Sequence, residues 1–362
     1  MTLSIEEILA KTNLKWLHTN TIYITKYGSH AYGTNTPESD LDIRGIAIPP
    51  KEYYFGILSN FEQYQSVEPF DLVIFDIRKF IKLAMDFNPN AVEILFTEPE
   101  DHIFKKSPIN KLFENKDKFI SKKARYTLSG YAISQLRRIN LHRKYILNPP
   151  TRKPERTDFG LPESNTLIPN HQLLEIEAAI NKKINDWHID TTGMQNDLSI
   201  DIKNKMHDIL LELKINTEEF DIYAARNLGL NDNLMEAFKK ERQYKNAKRD
   251  WDHYLHWKKT RNPKRYAIET KYGYDCKHGS HLVRLFRSCR ELLETGQFKV
   301  KRDDAEELLA IKNGAWTYEQ LIEWAEKEDK ALDELYKTST LPREPDRQAI
   351  NNICIEMIEE MI

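Results

Sequence analysis

The sequence predicts an α+β protein: a mixed sheet with helices over roughly the first 120 residues, followed by a chain that is helical nearly throughout. Three observations carry this. Short runs rich in β-branched and aromatic residues (Thr21–Tyr27, Leu41–Ile48, Asp71–Phe75) alternate with helical periods in the first part. After about Lys122 the apolar residues recur at three and four. Prolines mark the joints, at Pro49-Pro50, Pro89, the proline-rich stretch 148–169, Pro263, Pro342 and Pro345. The corresponding domains are 1–121, 122–345 and a last helix in 346–362.

Taken in order, Ile5–Leu17 reads as a helix, with Ser4 as N-cap and Glu7 completing a capping box. Thr21–Tyr27 is a strand ended by Gly28-Ser29, and Leu41–Ile48 a second strand stopped by Pro49. Asp71–Phe75 is a third. Asp76 then caps a helix with Ile77, Phe80, Ile81 and Ala84 on one stripe, which Asn88-Pro89 breaks. Val92–Phe96 fits strand or helix. Ala124–Tyr145 is helical and basic, and Gln172–Lys258 helical with interruptions near Gly193 and Gly229. His281–Leu293 is a helix with Leu282, Leu285, Phe286, Cys289 and Leu293 inward and Gly296 as its stop. Ala305–Ile311, Tyr318–Tyr336 and Gln348–Ile362 complete the helices.

The chain has 362 residues, 40% apolar and 30% charged, which places it among ordinary globular proteins long enough for two domains. Its net charge of −2 carries no message, but the distribution does. Ser121–Arg156 holds ten Lys/Arg against one acid, and Lys239–Arg265 eleven against three. Such stretches suit a polyanion, and they equally suit solvated helix faces. Three cysteines without ligand spacing argue against a disulfide scaffold and fit a reducing compartment. With an acidic N-terminal stretch and no long apolar run, the expectation is a cytoplasmic protein without a membrane segment. No P-loop, dinucleotide fingerprint or nucleophile elbow is present, so the chemistries those motifs carry are unsupported.

The informative segment is Tyr27–Ile48, YGSHAYGTNTPESDLDIRGIAI. Residues two apart on a strand face the same way, so Asp40, Asp42 and Arg44 project together while Leu41 and Ile43 point into the core. Paired carboxylates repel unless a cation sits between them, and they offer the hard oxygens that Mg²⁺ prefers. Gly28 lets the backbone approach a phosphate that the Ser29 amide and hydroxyl can hydrogen-bond. A hairpin whose acids and glycines are only turn residues is the bland alternative. A strand, Gly-Ser and then Ser-Asp-x-Asp before a second strand is far more specific than Asp-x-Asp alone.

This segment resembles the nucleotidyltransferase superfamily of DNA polymerase β, and more closely the predicted nucleotidyltransferases found beside RNA ligases in bacteria and large phages. FDIRKFIKLAMDFNPNAVEILF and YGYDCKHGSHLVRLFRSCRELLETG read like stretches of the same group. The resemblance implies a polymerase-β-like N-terminal domain that uses Mg²⁺ or Mn²⁺ to transfer a nucleotide from an NTP to an acceptor hydroxyl, releasing pyrophosphate. RNA or tRNA is the implied acceptor. A protein or small-molecule acceptor, or a catalytically silent RNA-binding scaffold, is the alternative. Family members usually carry a small residue where His30 stands. The superfamily needs a third carboxylate on a neighbouring strand; Asp71 sits where the pattern suggests. Asp76 is its rival, although it looks like an N-cap, and Glu68 is more distant. Asp40, Asp42 and Asp71 are thus the expected catalytic and metal-binding residues.

The second constellation is Tyr274–Arg284. On a helix Lys277, His281, Arg284 and Arg287 or Ser288 recur at three and four, opposite the apolar stripe. With His278 they are the expected cationic contacts to the triphosphate, beside Gly28, Ser29 and Arg44. Cys276, His278 and His281 have a possible zinc spacing, but no fourth ligand is apparent. Glu93, among apolar neighbours, reads as a buried partner of Arg44 or Arg78, or as a functional acid. Tyr244, Trp251, Tyr254 and Trp257, interleaved with bases, could stack on unpaired bases, or Trp251, Tyr254 and Leu255 could form a core stripe.

Overall fold

The three expected strands form as β1 (Thr21–Tyr27), β2 (Asp42–Ala47) and β4 (Asp71–Asp76), joined by two that the pattern did not reveal, β3 (Gln63–Ser66) and β5 (His102–Lys105). They make one five-stranded sheet of order β3-β4-β2-β1-β5 in a computed structural model that describes residues 3–164, 166–169, 171, 174–175, 178 and 232–362. The sheet is mixed: β1 runs antiparallel to β2 and β5, β3 antiparallel to β4, and β2 and β4 run parallel. β3 and β5 escape the pattern because they are short, lie at the sheet edges and carry half-buried polar residues.

In the sheet segment α1 spans Ile5–Ile8, α2 Leu17–Asn20, α3 Ser29–Tyr32, α4 Glu52–Phe55, α5 Ile77–Met85, α6 Pro89–Leu95 and α7 Asn110–Glu114. The Ser4/Glu7 capping box forms, but the helix expected over Ile5–Leu17 stops at Ile8. A turn in which Thr12 Oγ1 accepts from the Leu14 amide intervenes, a local bond that competes with helix. Val92–Phe96 resolves as helix because Asn88 caps it and Pro89 takes the first turn. Asp76 caps α5, accepting from the amides of Arg78 and Lys79.

The chain divides into two units, residues 1–147 with 262–362, and residues 148–261. In the first, α8 (Ala124–Leu147) joins the sheet segment. The second contains α9 (Asp232–Thr260), in which Glu241 accepts from both Nη atoms of Arg156 at 3.0 and 2.7 Å and from the Leu167 amide at 2.7 Å. The first unit resumes with α10 (Pro263–Tyr272), α11 (Cys276–Thr295), α12 (Ala305–Lys312), α13 (Tyr318–Thr338) and α14 (Arg347–Glu359). The interruptions expected near Gly193 and Gly229, and the helical pattern between 179 and 231, lie outside the described residues. Among the described residues no helix is long and apolar enough to cross a membrane.

The sheet separates two cores. One face packs Ile24, Ile43, Leu72 and Ile74 against Ile8, Leu9 and Leu17. The other packs Tyr23, Ile46 and Phe75 with α5, α6, α8 and the apolar side of α11. With Ile43 and Leu72 buried on the first face, their neighbours Asp42, Arg44 and Asp71 belong to the second, towards the helices.

Candidate active site

In the parallel ladder Asp42 is the register partner of Asp71, at the start of both strands. Parallel neighbours in register project to the same face, so one carboxylate comes from each strand. Asp40 lies two residues upstream of Asp42, just before β2 begins. Asp42 feels both neighbours: burial first, then the Asp71 and Asp40 carboxylates, raise its pKa against the pull of Arg44 and Lys277. Asp71 is held from the side. Arg44 Nη1 donates to its Oδ1 at 3.2 Å and to its carbonyl at 2.8 Å, and the guanidinium lies 5.0 Å from the Tyr27 ring centroid.

The rival Asp76 is otherwise engaged. It sits at the far end of β4, opposite Ala47, is 1% exposed, caps α5 and pairs with Arg78 at 3.1 Å.

Gly28 explains how the Asp42 carboxylate fits. Its φ is +62°, and a Cβ there would run into Asp42 Oδ2 and stand 3.2 Å from Cγ. Only glycine allows both the conformation and the approach. Ser29 opens α3 immediately after, and the Nε2 of His30 is buried without a hydrogen-bond partner among the described residues. Asp71 and Asp40 thus both lie within electrostatic reach of Asp42, and carboxylate oxygens are the donors a hard divalent cation takes, although among the described residues the group whose ligand atoms all lie within 4.8 Å of one another is a different one, His142, Asp275 and His278.

Helix α11 reaches this place with the face expected, Lys277, His281 and Arg284, but most of that face is buried. Lys277 is exposed and its positive charge acts on Asp42. His281 and His278 are partly buried; burial lowers the His281 pKa well below its ordinary value and brings His278 down to about 3. Arg284, expected among the triphosphate contacts, is spent on a buried ion pair. It is 4% exposed, its Nη1 donates to Glu93 Oε1 at 2.7 Å, and its guanidinium lies 3.8 Å from the Tyr32 ring centroid. The reason is packing. α8, α12 and α13 all lie against α11, so the side opposite its apolar stripe is covered as well. Arg287 is likewise paired, with Asp304 and Glu307.

Glu93 is therefore the partner of Arg284, not of Arg44 or Arg78. It is fully buried and its other oxygen accepts from the hydroxyls of Tyr27 at 2.8 Å and Tyr32 at 2.6 Å. Tyr27 ends β1 and Tyr32 ends α3, so this one carboxylate grips the chain on both sides of Gly28-Ser29. Arg284 Nη2 in turn meets His281 Nδ1 at 3.2 Å. A glutamate flanked by apolar residues signals such a role in the sequence, but the arginine 191 positions away could not be read from spacing.

The basic stretches are partly spent on acids: Lys123 pairs with Asp86, Arg125 with Asp329 and Asp333, Arg143 with Glu319 and Arg152 with Asp158. Arg137, Arg138 and Lys144 stay exposed on α8, and Lys248, Arg249, Lys258 and Lys259 on α9. Trp251 and Trp257 are half-buried and Tyr244 partly so, Tyr254 is buried against Trp257 with ring centroids 6.1 Å apart, and Leu255 is exposed. The four aromatics thus form neither a fully exposed stacking row nor the full core stripe.

Residues 2–147 match the model of the RNA repair pathway DNA polymerase beta family. Two curated proteins are similar in part. An uncharacterized 38.9 kDa protein in the nrdC-mobD intergenic region of Enterobacteria phage T4 is 35% identical over 89 residues, 22% of this chain and 26% of that one. The uncharacterized protein YcgL of Bacillus subtilis (strain 168) is 35% identical over 83 residues, 21% of this chain and 30% of that one. The chain thus spans less than a third of either relative. No solved structure matches.

Proposed function

Since residues 2–147 belong to the RNA repair pathway DNA polymerase beta family, which implies a nucleotidyltransferase-type reaction, we propose that this chain transfers a nucleotide from an NTP to a hydroxyl and releases pyrophosphate. The observation that carries the reading is the meeting of Asp42 and Asp71 in register on adjacent parallel strands, beside Gly28-Ser29 and within the field of Lys277. Asp40, Asp42 and Asp71 would hold Mg²⁺ or Mn²⁺. Such an ion, when bound, neutralises triphosphate charge and polarises the phosphoryl oxygens.

The chain's own groups do the rest. Gly28 lets the triphosphate approach the backbone, and the Ser29 amide and hydroxyl donate to its oxygens. Arg44 keeps the Asp71 carboxylate aimed at the site, where an oxygen of Asp71 accepts the proton of the attacking hydroxyl. Lys277 stabilises charge growing on the departing pyrophosphate. Arg284 acts through Glu93, holding α11 and the Gly28-Ser29 turn in one frame.

The test is incubation with each labelled triphosphate, Mg²⁺ or Mn²⁺ and bulk RNA, then with lysate. Transfer that disappears in Asp42→Ala, with metal-free thermal stability near wild type or above it, supports the reading. Transfer that survives Asp42→Ala ends it.

RNA or tRNA is the proposed acceptor. The exposed bases of α8 and α9 support it. Affinity should then fall steeply between ~50 and ~200 mM salt, by roughly 0.7 log units per log unit of salt for each phosphate contacted. Affinity insensitive to salt would leave a protein hydroxyl or a small molecule as acceptor.

A further inference from the structure

Outside the carboxylate site, four ligand-type side chains from three helices of the first unit converge. His142 comes from α8, Glu269 from α10, Asp275 is the N-cap of α11 and His278 stands in its first turn. We propose that His142, Asp275 and His278, with water as the fourth ligand and Glu269 beside His142, bind one Zn²⁺-class transition-metal ion, separate from the site of Asp40, Asp42 and Asp71.

The geometry is that of a ligand shell. His142 Nδ1 or Nε2, a carboxylate oxygen of Asp275 and a ring nitrogen of His278 all lie within 4.8 Å of one another. Asp275 Oδ2 is 3.5 Å from His142 Nδ1 and 3.5 Å from His278 Nε2, and Glu269 Oε1 is 3.9 Å from His142 Nδ1. The two 3.5 Å separations, the His142–Asp275 hydrogen bond among them, stand at the long end of the hydrogen-bond range, which centres near ~2.9–3.0 Å. They are close to the ~3.3–3.4 Å between ligands on the edge of a tetrahedron whose metal–ligand bonds are about 2.0–2.1 Å.

The donors select the metal. Two imidazoles with one carboxylate suit Zn²⁺ and its borderline neighbours, whereas Mg²⁺ wants oxygen alone in an octahedron. Glu269 and Asp275 are fully buried, and buried carboxylates need a cation. Arg265 supplies one, with Nη2 2.5 Å from Asp275 Oδ2 and Nε 3.9 Å from Glu269. It reaches in from the surface, its side chain 26% exposed, so it can yield that oxygen to a metal and keep Oδ1, which its Nε already meets at 3.3 Å. The sequence hid this set. Of the zinc candidates that spacing suggested, Cys276 Sγ is buried on the Tyr274 carbonyl and His281 Nδ1 meets Arg284; only His278 remains. An ion here would tie α8 and α11 together one residue from Lys277.

The experiment uses the full chain, stripped with chelator, then loaded with Zn²⁺ for metal analysis and titrated with Co²⁺ as the optical probe. One equivalent with the strong visible absorption of tetrahedral Co²⁺ is expected in wild type and equally in Asp42→Asn. His142→Gln and His278→Gln should each weaken Co²⁺ binding by at least about 100-fold. Arg265→Gln, which removes the competing cation, should tighten it several-fold, and this variant decides the matter should a histidine variant not fold. No stoichiometric metal in wild type, loss of the Co²⁺ band in Asp42→Asn, or Arg265→Gln binding no tighter than wild type would overturn the proposal. None of these readouts depends on nucleotidyl transfer.

Discussion

Replacing Arg284 with methionine removes the guanidinium but keeps most of the side chain's volume. It leaves Glu93, fully buried, with the Tyr27 and Tyr32 hydroxyls but without the counter-charge 2.7 Å away. At an effective dielectric of about 20, opposite charges ~4 Å apart attract by ~4 kcal/mol. Removing one member of a buried pair typically costs ~3–5 kcal/mol, because the survivor stays uncompensated. The two figures agree, so Arg284→Met should lower stability by about 4 kcal/mol. Glu93→Gln in the same chain removes the stranded charge, and the double variant should recover at least ~1 kcal/mol of that loss. Urea unfolding followed by tryptophan fluorescence gives the cycle, with Trp324 reporting from beside Phe286 on α11. If Arg284→Met unfolds within ~1 kcal/mol of wild type, or the double variant is the less stable of the two, the pair is not the keystone described here.

Gly28→Ala puts a methyl where the Asp42 carboxylate lies, at a φ of +62°, and should cost ~1–3 kcal/mol and most of the transfer activity; wild-type melting and turnover would contradict this. Asp71→Asn should abolish transfer at nearly unchanged stability, whereas Asp76→Asn, which weakens the α5 cap and its Arg78 pair, should lower the melting temperature and spare metal binding; the reverse pattern would make Asp76 the third carboxylate. Lys277→Ala, on an exposed residue, should stay within ~0.5 kcal/mol of wild-type stability while turnover falls, as read by urea melts and steady-state kinetics. Burial raises the Asp304 carboxyl, but hydrogen bonds from Arg287 and Arg302 outweigh it and the net pKa is lowered. The stabilisation is therefore present above the unfolded value of ~3.9 and is lost as pH falls through the lower folded value, so Asp304→Asn should flatten the decline in melting temperature between about pH 5 and pH 3.

The first strand was legible to the residue, and β2 and β4 nearly so, because one or both faces of each are apolar and the turns between them carry glycine and proline. Edge strands β3 and β5 were not, since half-exposed polar residues leave no alternation to read. At the candidate site, period two was enough to put Asp42 and Arg44 on one face. That Asp71 meets Asp42 depends on parallel pairing across the 23 residues 48–70 that connect β2 to β4, which only the family resemblance supplied. The α11 periodicity identified the helix but misjudged its far side. A helix packed by neighbours all round buries its arginines with partners, and Arg284 with Glu93 and Arg287 with Asp304 are those partners. Amphipathic reasoning assumes one solvent face, and α11 does not have one along most of its length.

The first unit is written in two passages, with residues 148–261 between them, and this sets a timetable for its assembly on the ribosome. At ~5–20 residues per second, the 191 residues from Glu93 to Arg284 take about 10–40 s to emerge. During that interval the sheet can pair, since β1 to β4 are already out and β5 follows within a dozen residues, but the glutamate under the Gly28-Ser29 turn has no guanidinium to meet. A nascent chain arrested before residue 262 would therefore carry Asp40, Asp42 and Asp71 without Lys277 or the tether that holds them in register with it. Competence for chemistry would arrive late and all at once, with the emergence of a single helix.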